Sequence, residues 1–120
     1  MEAMVRICWG ALALLHLAPA AVLLRPELAA RLYDVDPAGT AGALIVHRGA
    51  LFLAVLVAAV WALFDPGARR LASVVVAISM AGFLLVWWRA GSPEALRGIA
   101  IADMVGLVPL GVVLWAAWRG

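Results

Sequence analysis

The sequence predicts an all-α integral membrane protein, a four-transmembrane-helix bundle with a short interfacial helix between spans one and two. Three observations predict it. Hydrophobic residues make up 68% of the 120-residue chain and the mean hydropathy is +1.10, against about 45–50% apolar in soluble domains. The apolar residues fall into four stretches, each about long enough to cross a bilayer. The charges gather at the ends of those stretches, where interfacial anchors belong. A soluble fold of this size could not hide so much apolar surface, and a chain of this length allows one domain, residues 1–120.

Span one is expected over about residues 7–24, bracketed by Arg6 and Arg25. Its start resembles a signal peptide, with Ala18-Pro19-Ala20 as a cleavage-like site, but His16 interrupts the would-be apolar core and argues against cleavage. The longest connection follows. Pro26 to Tyr33 reads as the interfacial helix, with Pro26 in its first turn and Glu27 to Arg31 as a favourable i,i+4 pair. Asp34, Asp36, Pro37 and Gly39 form a turn, and Thr40 is placed to cap span two.

Span two is expected over about 41–64, ended by Asp65-Pro66-Gly67, and span three over about 70–88. Ser92-Pro93 is a helix start, giving span four over about 95–118. At 1.5 Å per residue each span reaches ~27–36 Å, matching a hydrocarbon core of ~30 Å. Backbone groups inside lipid must pair within the segment, so these spans are helices.

Trp9, Trp61, Trp115 and Trp118 fall at one end of the expected bundle (side A, with both termini), and Trp87, Trp88 and Tyr33 at the other (side B). They read as two aromatic belts. Small residues recur every four positions at Ala50, Ala54 and Ala58, at Ser73, Ala77 and Ala81, and at Gly98, Ala102 and Gly106. Such ridges allow close helix packing or an oligomer face, although an Ala-rich chain also makes them by chance. Arginines divide evenly between the two sides, and the acids on side B favour a cytoplasmic side A, with both termini inside.

The net charge of +2 comes from arginines spread along the chain, so no nucleic-acid patch is expected. Cys8 is the only cysteine, which excludes an intramolecular disulfide, a CxxC redox pair and a thiolate zinc site. No phosphate-binding glycine loop and no nucleophile–base pair is found.

Ionisable residues inside spans are functional candidates, because lipid penalises charge. His47 and Arg48 lie ~9–10 Å inside span two from side B, Asp103 lies at a similar depth in span four, and His16 is a little deeper. All four share the side-B half. Asp103, His47 and Arg48 are the candidates for acid–base chemistry, and His16, Tyr33 and Ser79 are candidate ligand contacts. Plain alternatives stand beside this. Arg48 could snorkel to headgroups, Asp103 and Arg48 could form a structural ion pair, His47 could be a neutral hydrogen-bonding bridge, and His16 could be a satisfied core residue. Pro19 and Pro109 weaken spans one and four and could open room between helices. A bis-histidine haem or a His–His–Asp metal site is chemically allowed but not expected, and no cofactor or metal is expected.

The segments Leu32-Tyr33-Asp34-Val35-Asp36, His47-Arg48-Gly49-Ala50-Leu51-Phe52, Pro66 with Arg69-Arg70, Ser79-Met80-Ala81-Gly82-Phe83 and Asp103-Met104-Val105-Gly106-Leu107 together resemble a family of small bacterial four-span membrane proteins, DoxX-like in size and layout. The resemblance covers most of the chain and implies architecture and a bacterial inner-membrane location. Relatives often have Gly after the Tyr; Asp34 stands there, which counts against a tight glycine turn. Some members carry the name phosphopantetheine adenylyltransferase, a chemistry that needs a soluble nucleotide-binding fold absent here.

The expected function is a polar intramembrane pocket that binds, or acts by acid–base chemistry on, a small amphipathic or isoprenoid-like molecule. Two alternatives are a non-enzymatic subunit of a larger membrane complex and a proton-coupled transporter working as a dimer. The expected partners are the lipid bilayer, a small amphipathic ligand, and a second copy or a larger complex.

Overall fold

The computed structural model describes residues 1–119, and within them every regular element is helical. Helix α1 spans Glu2–Ala21, α2 Leu28–Tyr33, α3 Gly39–Phe64, α4 Arg69–Arg89 and α5 Arg97–Trp118, with single 3₁₀ turns at Pro66–Ala68 and Glu94–Leu96. Four of these segments are long and apolar enough to cross a membrane. The four long helices form a closed ring in which α1 packs on α3 and α5, and α4 packs on α5 and α3. The α1–α3 contact is the most extensive and the α3–α4 contact the least.

Each long helix buries one seam at helical spacing. In α5 it is Ala100, Asp103, Gly106, Leu110 and Val113. In α1 it runs through Val5, Trp9, Leu12 and His16. Trp9, Leu12, Val76, Met80 and Val113 are fully buried at the centre. The outward faces are equally apolar: Ile7, Leu14, Leu71 and Val108 are each more than two-thirds exposed.

The close approach of α3 to the turn that follows α1 depends on glycine. A Cβ on Gly49 would lie 2.7 Å from the Leu23 backbone nitrogen. The buried residues of α3 are therefore Gly42, Gly49, Val55, Ala59 and Ala62. The expected ridge of Ala50, Ala54 and Ala58 is not the packing seam, and Ala54 is exposed; so are Ala81, Gly98 and Ala102. Spacing alone could not say which of several small-residue rows faces inward.

Other expectations are corrected locally. Thr40 does not cap α3; the helix begins at Gly39, and the preceding turn is organised by the Asp36 carboxylate accepting from the Ala38 N–H at 2.9 Å. Glu27 pairs with Arg25 at 3.0 Å, not with Arg31, because Glu27 stands at the helix entry where the backward turn brings Arg25 close. The backbone N–H of Glu27 itself, and then Arg25, hold that carboxyl below its usual range. Asp34 ends α2 in the left-handed conformation (φ 57°, ψ 42°), so the turn that glycine favours is kept with an aspartate, one of the few residues that tolerate it. After α4, Ser92 is also left-handed (φ 56°), and Pro93 leads into the 3₁₀ turn, which delays α5 to Arg97.

Both chain ends meet the α3–α4 turn. Arg69 donates to Glu2 from α1, and Arg70 Nε donates to the Ala117 carbonyl of α5 at 3.1 Å. Ser73 Oγ donates to the Arg70 carbonyl at 2.7 Å and accepts from Trp118 Nε1 at 3.1 Å. Helix α2 closes the opposite end, where Tyr33, Ala29 and Val22 form a second small core. Trp9 is thus core rather than belt, and Tyr33 is buried as well, whereas Trp61, Trp88, Trp115 and Trp118 are exposed as a belt requires.

Candidate functional site

Asp103 reaches the interior because it lies on the buried seam of α5, between Ala100 and Gly106. It is 8% exposed and makes no hydrogen bond or ion pair among the described residues. What remains accessible opens onto a cavity of about 420 Å³ bounded by α1, α2, α5 and Phe52 of α3. A carboxylate out of water without a partner costs several kcal/mol, about the scale of a domain's whole net stability.

His16 lines the same cavity and is 2% exposed. Its Nδ1 lies 2.8 Å from the Leu12 carbonyl oxygen. A carbonyl only accepts, so Nδ1 carries the proton and, in the neutral ring, Nε2 keeps its lone pair. Pro19 forms part of the wall beside it, and Arg31 borders the cavity from α2.

Arg48 is half-buried and lies within a group of aromatic rings. Its Cζ is 4.7 Å from the Phe52 centroid, 5.2 Å from Phe83 and 5.5 Å from Tyr33. These contacts stabilise a cation by about 0.5–2 kcal/mol, but rings accept no conventional hydrogen bonds. No ion pair joins Arg48 to Asp103 among the described residues, so the alternative of a structural ion pair is not realised. Both charges nevertheless act on the Tyr33 hydroxyl. Burial, the largest influence, raises it; Arg48 lowers it and Asp103 raises it.

Arg48 lines a second cavity, a groove of about 680 Å³ between α3 and α4, where the two helices contact least. Ser79 lies in its wall. Phe52 is common to both cavities and also meets the His16 ring at 5.9 Å between centroids. One aromatic side chain thus divides the His16–Asp103 volume from the Arg48–Ser79 volume.

His47 belongs to neither. It is exposed on the outer face of α3, because neighbours on a helix diverge by about 100° and Arg48 occupies the inward direction. It cannot act with the buried carboxyl, and it does not meet His16 for a shared haem or metal. Among the described residues, no three His, Cys, Asp or Glu side chains cluster as metal ligands do. Sequence reasoning missed Phe52 and Phe83. Phe52 was detectable, since it stands one turn after Arg48 on the same face; Phe83 comes from another helix and had no such signal.

No family model, no curated protein and no solved structure matches the chain.

Proposed function

We propose that the protein is a multi-pass membrane protein that binds a small amphipathic or isoprenoid-like molecule in the Asp103–His16 cavity and exchanges a proton with it there. The four long apolar helices, the apolar outer faces and a long axis of 46 Å support insertion, since a bilayer with its headgroups is about 40–45 Å thick. In this reading α2 lies at the interface on side B, and both termini are cytoplasmic in a bacterial inner membrane. The likeness to DoxX-like proteins belongs to the same proposal.

The observation that carries the functional reading is the unpartnered, buried Asp103 opening onto a cavity. An Asp costs about 2.5–3.5 kcal/mol at the centre of a membrane helix and less towards its ends, and among the described residues no hydrogen bond or ion pair offsets that cost for Asp103. His16 lines the same cavity with an acceptor nitrogen, so a ligand hydroxyl can donate to Nε2, while Asp103 in its carboxylic acid form donates to a ligand hydroxyl or carbonyl oxygen and gives up the proton that is exchanged. The remaining lining of Leu15, Ala18, Leu32, Ile99 and Ala102 suits an apolar body.

Thermal unfolding of the detergent-purified protein with farnesol or decylubiquinone as probe tests this. The native protein should be stabilised by at least one probe. Asp103→Asn and His16→Leu should fold and lose that gain. A folded Asp103→Asn protein with undiminished stabilisation would refute the reading, and an unfolded one would make Asp103 structural.

A further inference from the structure

We infer that the groove between α3 and α4 is a second binding site, taking a single-chain carboxylate amphiphile whose head pairs with Arg48 and whose tail lies along Ser79, Gly82 and Val86. The site is distinct from the Asp103 cavity and shares only the Phe52 wall with it.

The unpaired cation is the first argument. A guanidinium carries five N–H donors, and among the described residues Arg48 uses none of them in a hydrogen bond or ion pair. Its neighbours Tyr33, Phe52 and Phe83 stabilise the charge and strip water from it without supplying an anion. A planar carboxylate fits the guanidinium fork with two parallel hydrogen bonds.

The shape of the groove is the second. Apart from Arg48 and Ser79, its walls are apolar or aromatic, and at about 680 Å³ it falls within the usual range for small-ligand sites. Its α4 wall from Val75 to Ala90 is roughly 22 Å long at 1.5 Å per residue. A furrow between two neighbouring helices, whose axes stand about 8–10 Å apart when packed, admits one chain and not a pair. Gly82 widens it: nothing lies within 4 Å of where a Cβ would stand.

Charge selects the head. Asp103 acts on the same Tyr33 hydroxyl as Arg48, so its field reaches this region. A monoanion neutralises Arg48. A phosphate monoester, at about −1.5 to −2, would add excess negative charge beside Asp103. One chain and one negative charge describe a long-chain carboxylate, not a two-chain phospholipid.

The test uses 11-(dansylamino)undecanoic acid and the protein in nanodiscs of zwitterionic phosphatidylcholine. Emission should rise saturably above that of empty discs. Palmitate should displace the probe, and methyl palmitate, which has no charge, should not. Arg48→Met should weaken binding about tenfold or more, the loss of one charge-assisted pairing. Gly82→Leu fills open space, so it should fold and also block the probe, which keeps the test decisive if Arg48→Met fails to fold. Asp103→Asn removes a negative charge whose field reaches the groove, so it should bind the probe as well or more tightly, and failure here and failure of the Asp103 reading are separable. Equal displacement by the methyl ester, unchanged binding to Gly82→Leu, loss of binding in Asp103→Asn, or displacement by phosphatidylglycerol in the disc would each overturn the inference.

Discussion

Arg69 Nη2 stands 2.7 Å from Glu2 Oε1, which ties the start of α1 to the start of α4. The same guanidinium donates to the Ala62 carbonyl at 2.8 Å and the Leu63 carbonyl at 3.3 Å, groups that the end of α3 leaves unpaired. One side chain therefore joins three helices.

Arg69→Ala should cost about 2–3 kcal/mol, because several charge-assisted hydrogen bonds vanish together. Glu2→Gln should cost clearly less, since Glu2 is largely exposed and its pairing is screened. Denaturant unfolding in mild detergent, followed by circular dichroism, compares the two. Equal losses would contradict the central role of the arginine.

Gly49 and Gly82 offer a matched pair of substitutions. Gly49→Ala drives a methyl into the Leu23 backbone and should destabilise by about 1–3 kcal/mol. Gly82→Ala meets open space and should be neutral or stabilising by up to about 1 kcal/mol through helix propensity. The same unfolding measurement reads both, and similar effects would show that the approach of α3 to the turn that follows α1 is not set at Gly49.

Asp103→Leu should raise stability by about 1–3 kcal/mol, because it removes a buried charge that nothing pairs. The same change should abolish stabilisation by farnesol or decylubiquinone. A fall in stability would mean that Asp103 has a structural partner.

His16 and His47 should respond in opposite ways. His47→Ala changes an exposed side chain and should stay within about 0.5 kcal/mol of the parent. His16→Ala empties space beside Phe52 and should cost about 2–4 kcal/mol as well as probe stabilisation. Melting temperatures with and without probe decide this, and a silent His16→Ala would remove it from the site.

Apolar run length made the four long helices legible, since their bounds depend on where Pro, Gly and charge interrupt each run. Asp103, Arg48 and His16 were legible as outliers against apolar neighbours. Their arrangement was not. Adjacent residues such as His47 and Arg48 look alike in one dimension, and only the helix phase separates them. Trp9 shows the same limit: its place near a helix end suggested a belt residue, but its phase directs it to the centre, with its indole N–H unpaired. The Phe83 contact depends on how α4 rotates against α3, which packing decides.

Among the described residues, Glu2, Arg69, Arg70, Ser73 and Trp118 gather the side-chain hydrogen bonds between the long helices at one rim. At the other rim the long helices meet through apolar packing and the cation–π contacts of Arg48, beneath the small lid of α2. The molecule is consequently built like a clothes-peg, riveted at one tip and sprung at the other. Any parting of the helices should therefore begin at the sprung tip, towards which the ionisable groups of both hollows lie.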